Sequence, residues 1–427
     1  MPCCFRVSNR HDGRRITGAA RKIWITVWQA PYRPLFLLAG LWALVAPAVW
    51  LLPEGTGPEP VAWHRHELLF GMTSAAAGGY LLTALPSWTK SGPVPPAVTL
   101  FVTCLWCAAR LTAAFSDNLP FVVAAIGTSA YFISLTVILA HGVVSSGTWR
   151  RLWAPLAMAA LGANALSLAA CGVSIMSTPL LYVVLIILIG GRAVPAFTHR
   201  WLDRTGAAPL RDRPALSYLA MVGVLVTASI EAFRQHPASG YVLMFSGALL
   251  ALQMKGWQSV STHRYPALFI LHLAFAWTPA GLVLTGLAIV FPDRIAPAGA
   301  LHALTMGAVG TMMAAMMMRS AMRRDGEALI ANGTMACVIG LVSLSALLRI
   351  LAGLPGEAHS DLVVAAAICW MAAWALFLAV YIPALMGPVP RPVFSAAIGD
   401  HVERTGTAKD RSGPLTGRSK STAQRTH

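Results

Sequence analysis

The sequence predicts an all-α fold: a polytopic integral membrane helix bundle of about twelve transmembrane helices, with both termini cytoplasmic. Three observations predict it. The 427 residues are 56% hydrophobic and only 11% charged, with a mean hydropathy of +0.64, which leaves too few charges to coat a soluble protein of this length. Apolar runs of about 18 residues or more, each able to cross ~30 Å of hydrocarbon, recur along the whole chain. The positive charge, formally +16, gathers in alternate loops and in the two tails.

Taken in order, residues 1–30 form a polar tail bearing Arg6, Arg10, Arg14, Arg15, Arg21 and Lys22, whose composition predicts disorder. The bundle occupies residues 31–390. Its first span, 35–52, is as long as a true crossing and follows that arginine-rich tail, so no cleavable signal peptide is expected. Spans follow at 67–86, 96–115, 119–143, 151–173 and 178–198. A long polar loop, 199–214, divides them from a second set at 215–233, 239–257, 266–291, 298–319, 329–354 and 361–386. The end, 391–427, is rich in Ser, Thr, Arg and Lys and is again expected to be disordered. Between the two sets of six no convincing internal repeat is visible, so a transporter built on inverted repeats is neither supported nor excluded.

Charge orients the bundle. Lys90, the pair Arg150 and Arg151, the loop arginines Arg200, Arg204, Arg211 and Arg213, then Arg264, Arg323 and Arg324 fall in every second loop, with the tails. The intervening loops hold little beyond Arg65, Arg234 and Arg294, and several are acidic or neutral, as at Glu54, Glu59, Asp117 and Glu357. An even number of helices then places every basic loop on the cytoplasmic face. The basic balance is therefore topology, and no nucleic-acid partner is expected. The seven cysteines form no framework. Cys104 and Cys107, three apart on one helix face, read better as small apolar packing than as a redox pair. Cys3 and Cys4 fit either a lipidation site or an artefact of the assigned start.

Orientation assigns a depth to each titratable group. The stretch AWHRHELLFGM, 61–71, puts His64, His66 and Glu67 at the outer end of the second span, and His302 lies near the outer end of the tenth. His272 and His141 lie near inner ends, His272 roughly 15 Å deeper than His302 at 1.5 Å per residue. One metal holds opposed ligands about 4 Å apart, so two layers are expected: His64, His66, Glu67 and His302 outside, His141 and His272 inside. On a regular helix the two rings of H-x-H diverge by about 200°, and only an extended segment lets both reach one metal. Boundary histidines also serve simply to bridge headgroups and water. Buried ionisable groups in a bundle nevertheless mark sites often enough to single this cluster out.

Arg110 and Arg349 near outer ends, and Arg192 near an inner end, fit either snorkelling to headgroups or, for the first two, a site for carboxylate groups. In the tenth span His302, Met306 and Met313 fall near one face. Thioethers suit Cu(I), although methionine is also ordinary core filling. Small residues, Gly71, Ala75 and Gly79 in the second span and Ala303, Gly307, Gly310 and Ala314 in the tenth, would let helix backbones approach closely.

The stretches WHRHELLFGMTSAAAGGYLLTALPSWT (63–89), IGGRAVPAFT (189–198), LHLAFAW (271–277) and LHALTMGAVGTMMAAMMMR (301–319) resemble the signature stretches of NnrS proteins, and APYRPLFLLAGLWAL (30–44) resembles that family's first helix. The resemblance runs over about residues 30–390. It implies a haem- and copper-containing multi-pass protein of the bacterial cytoplasmic membrane, associated with nitric oxide metabolism, denitrification and nitrosative stress, with nitric oxide as its small ligand. The family's W-H-x-H-E falls on Trp63, His64, His66 and Glu67, its H-A-L-T on His302 to Thr305, its L-H-L on His272, and its G-G-R-x-x-P on Gly190, Gly191, Arg192 and Pro195. Arg65 departs from the pattern, standing where the family usually has a small residue.

On this reading His302 with His64 or His66 would hold an outer metal, Glu67 would orient a ring, Arg110 and Arg349 would hold haem propionates, and His272 would serve a second centre. Arg192 and Met306 complete the candidate cofactor contacts. Two rival readings stand beside it. One is a nitric oxide reductase-like oxidoreductase, against which the chain has no adjacent His-His pair of the haem–copper oxidase kind. The other is a metal-free transporter using the buried charges as its path.

Overall fold

A computed structural model of the chain describes residues 26–51, 59–171, 177–231, 236–326, 328–354, 359–390 and 393–394. The expected disordered tails fall almost wholly outside these residues, as do Cys3, Cys4, Glu54, Arg234 and Glu357. Twelve helices follow one another as α1 Tyr32–Val45, α2 Pro60–Thr89, α3 Pro96–Ala114, α4 Phe121–Ser145, α5 Trp153–Cys171, α6 Ser177–Thr205, α7 Pro214–Glu231, α8 Pro237–Lys255, α9 Pro266–Val290, α10 Pro297–Arg319, α11 Gly333–Leu351 and α12 His359–Leu385. Among the described residues eleven of them, α1 lengthened by the following turn, are long and apolar enough to cross a membrane. The protein is a polytopic helical membrane protein.

Proline starts many of these helices because its missing N–H is not needed in the first turn. Pro60, Pro96, Pro237, Pro266 and Pro297 all stand there. The eleventh span begins later than its apolar pattern suggests. Residues Ala328–Ile330 pair antiparallel with Arg323–Asp325 as a short hairpin, β1 and β2, and the helix opens only after Asn332 caps it.

Burial separates centre from rim. In α2, α6, α9 and α10 between 61% and 78% of the apolar window is buried, whereas in α3, α4, α7, α8, α11 and α12 only 33% to 44% is. The rim helices turn large apolar side chains outward, Phe121, Ile126 and Ile133 on α4 and Val364 and Ile368 on α12 among them. That is the surface lipid demands. Helix α1 packs against both α2 and α12. Fully buried Arg33 ties the junction by donating to the carbonyls of Leu385 and Gly387 at 3.0 and 2.7 Å.

The small-residue seams work differently from expectation. They receive aromatic rings. Trp42 lies over Gly71 and Phe36 over Gly79, while Trp277 covers Gly307 and Trp370 covers Gly310. Close backbone approach occurs between α8 and α9, where a Cβ on Gly240 would come within 2.6 Å of the Gly286 carbonyl, and between α9 and α10, where a Cβ on Gly281 would come within 3.1 Å of the carbonyl of Ala303 in the expected seam.

Candidate functional site

Both central helices that carry the outer histidines widen at the same level. In α2 the α-helix Pro60–His66 passes into a π-helix, Glu67–Thr73. In α10 the α-helix Pro297–His302 passes into a π-helix, Ala303–Gly310. A wide turn loosens the ordinary ladder and exposes carbonyls that need other donors. In α2 three helices supply them. The Tyr182 hydroxyl of α6 donates to the Leu69 carbonyl at 2.7 Å, the Trp106 indole of α3 to Gly71 at 3.0 Å, and the Tyr131 hydroxyl of α4 to Ser74 at 3.0 Å. In α10, Thr305 returns its hydroxyl to the Leu301 carbonyl, and Thr311 bonds the carbonyls of Gly307 and Ala274.

The H-x-H segment is helical, so its two rings diverge. His64 reaches across to α10, where its ring centroid lies 6.5 Å from that of His302, with the planes 26° apart. Two imidazoles on opposite sides of one metal, with bonds of about 2.0 Å and ring centres ~1.1 Å beyond each nitrogen, have centroids roughly 6.3 Å apart. The spacing therefore fits one metal between them. His302 Nδ1 lies 2.6 Å from the Ala298 carbonyl. Nδ1 is thus the protonated nitrogen and Nε2 keeps its lone pair, the tautomer a metal needs. Arg349 of α11 is half-buried, and its charge reaches both rings.

His66 turns instead to Glu67, with Nδ1 at 2.7 Å from Oε1. The other oxygen, Oε2, accepts from the Trp42 indole at 2.6 Å and from Arg110 at 2.8 Å. Glu67 is 0% and Arg110 5% exposed. The carboxylate thus has a partner on every side, which a buried charge requires. The Arg110 guanidinium lies 5.7 Å from the Trp106 ring centre, and Trp106 meets Trp42 edge-on at 5.5 Å. Arg110 thus spends one guanidinium nitrogen on Glu67, while its buried Nε has no hydrogen-bond partner among the described residues. Arg349 remains a candidate for a propionate.

The expected inner layer does not assemble. His272 is buried, but both its nitrogens are taken, Nε2 by the Thr198 hydroxyl and Nδ1 by the Ser259 hydroxyl, each at 2.8 Å. His141 is exposed on α4. Arg192 is also exposed and bonds the Tyr218 hydroxyl at 2.9 Å, away from the outer cluster. Cys104 and Cys107 are free thiols on the exposed side of α3 and pack in no interior.

Met313 parts company with His302 for a geometric reason. The π-turn runs at about 4.4 residues per turn instead of 3.6, so Met313 no longer repeats on the His302 face. Met306 is half-buried against the core. Among the described residues no three His, Cys, Asp or Glu side chains come together as a metal-holding group. The donor set fits a metal held between two imidazoles, as in bis-histidine haem, and supplies no evident copper site. Trp42, Trp106, Tyr131 and Tyr182 seat this arrangement, and sequence reasoning missed all four. Their one signal was an indole or phenol inside an apolar run, which core packing explains equally well.

A family model described as NnrS protein matches residues 26–388 of the chain. Among curated proteins none matches it.

Proposed function

The chain belongs to the NnrS family, and from that premise we propose that it is a haem-bearing protein of the bacterial cytoplasmic membrane that binds nitric oxide, in nitric oxide metabolism or nitrosative-stress defence. Membership supports a nitric-oxide-related membrane protein at family level. The haem, its ligands and the cytoplasmic placing of the basic loops are the proposal. One observation carries it: His64 and His302, from two helices far apart in the chain, bring their ring centres to 6.5 Å.

Bound haem would supply an iron able to take nitric oxide in place of one of the two imidazoles. The chain's own part is binding and orientation. The Ala298 carbonyl keeps the proton on His302 Nδ1, so Nε2 would be the nitrogen to hold a metal. Arg349 offers a cation to a propionate. Glu67, the first residue of the wide turn, is locked by Arg110 and Trp42 and holds His66, and so fixes where His64 enters the bundle. Copper accompanies haem in the family, but no residue set among those described is proposed for it.

The test is an absorption spectrum of the detergent-purified protein, grown with haem supplied, reduced with dithionite and taken before and after nitric oxide. The proposal expects a Soret band that shifts with the gas and is lost in both His64→Ala and His302→Ala. A colourless, iron-free protein would sink it. A second reading, a proton-coupled transporter, draws on the buried Glu67–Arg110 pair. Colour separates the two.

A further inference from the structure

Below the histidine pair lies a pocket of about 80 Å³ between α1, α2, α6 and α10. It starts at Thr73 and Val309, near the inner ends of the two wide turns. The seven residues from His302 to Val309 put it roughly 10 Å deeper than the histidines at 1.5 Å per residue. Carbon and sulfur form nearly all of its wall, with the thioethers of Met312, Met313, Met316 and Met317 on one side and Ala77 and Ile186 among the groups opposite.

Water finds little to hold there. Of the hydroxyl-bearing lining residues, Thr73 donates to the Leu68 carbonyl and Tyr182 to the Leu69 carbonyl, each at 2.7 Å. Their donors are thus spent, and apart from these oxygens and the Tyr80 hydroxyl the wall offers a water only carbon and sulfur. An apolar cavity of this kind stays dry and admits small apolar guests such as xenon. A polarizable sulfur wall adds dispersion attraction to any such guest.

Three sequence stretches with no role in the histidine site meet at this cavity: the alanines after the wide turn of α2, Gly190 of GGR in α6, and the methionine run of α10. Gly190 shows why a glycine is needed. A Cβ there would come to 3.0 Å from the Phe275 ring and 3.3 Å from the Met312 methyl, pressing both against the space Met312 now occupies.

The geometry points to a holding site for a small uncharged diatomic gas, nitric oxide foremost, waiting within the bundle below the histidine pair. This rests on the functional reading above for the identity of the gas, and on the cavity alone for the preference. Nitric oxide is small and nearly apolar, partitions into lipid, and needs no hydrogen-bonding partner to be held.

Xenon is the probe. Full-length protein in lipid nanodiscs, titrated with xenon and followed by ¹²⁹Xe NMR, is expected to show saturable binding. Ala77→Phe and Ile186→Phe, each filling the cavity from a different helix, are expected to abolish it while circular dichroism and gel filtration match wild type. Two such variants guard against one that fails to fold. Met312→Leu with Met316→Leu keeps the volume and is expected to retain xenon. The proposal falls if wild type shows no saturable xenon, or if both phenylalanine variants bind as wild type does. It also falls if metal-free wild type takes up one Cu(I) that the double leucine variant loses, since the space would then be a thioether metal site. The Soret band read on the same samples separates the two proposals. Haem without xenon removes the cavity site and keeps the haem reading, whereas xenon without haem keeps an apolar gas site and removes nitric oxide as its occupant.

Discussion

Removing the Arg110 charge is the sharpest test of how the outer site is held. Glu67 is fully buried, and its Oε2 is shared between Arg110 at 2.8 Å and the Trp42 indole at 2.6 Å. Arg110→Met keeps the stem and removes the cation, leaving a carboxylate with two neutral donors in a low-dielectric bundle. Breaking a buried pair from one side costs about 3–5 kcal/mol, and the surviving His66 and Trp42 bonds argue for the lower end, ~3 kcal/mol. At about 1.4 kcal/mol per decade, that is roughly a hundredfold in the folded-to-unfolded ratio. Taking both charges away, Glu67→Gln with Arg110→Met, removes the uncompensated ion and should return stability to within about 1 kcal/mol of wild type. Titration of the detergent-solubilised protein with dodecyl sulfate, followed by tryptophan fluorescence, reads both. Were the single variant within about 0.5 kcal/mol of wild type, or no less stable than the double, the pair would not be holding the turn and the reasoning would be wrong.

Other expectations concern neighbouring parts of the same machinery. His272→Ala should leave the Soret band of His302-competent protein unchanged, because both nitrogens of His272 serve hydroxyls, while lowering stability by about 1–3 kcal/mol for the partners left buried; loss of haem in this variant would restore the second centre. Trp106→Phe deprives the Gly71 carbonyl of its donor and should cost about 1–3 kcal/mol in the same titration, more than the equivalent change at exposed Trp149. Glu59, ahead of α2, is held below the ordinary glutamate range by the backbone N–H groups of Ala62 and Val61. Its folded value being the lower one, its contribution is complete above the unfolded carboxylate value and fades as pH falls through the folded value. The protection factors of the Val61 and Ala62 amides, with exchange corrected for its intrinsic pH dependence, should therefore fall on acidification in wild type, and show no such step in Glu59→Gln.

Much of this protein was legible one span at a time. Each long apolar run became a helix, because hydrocarbon thickness and backbone hydrogen bonding leave a lipid-soaked chain little else to do. Which way a side chain points was not legible, and the wide turns are the reason. A π-turn in α2 survives because Trp106, Tyr131 and Tyr182 answer its freed carbonyls, and these lie 35, 57 and 113 residues away from the groups they serve. No local pattern encodes such a turn. Yet it decides the site, because one added residue between Glu67 and Thr73 changes which face every later side chain of α2 presents. The same holds in α10, where the turn separates His302 from Met313 and sends the two toward different spaces. The histidine pair above and the sulfur-lined cavity below are thus consequences of one device used twice. A substitution that restores regular α-helix in either turn should disturb both spaces together, whereas one that alters only a lining residue should disturb one.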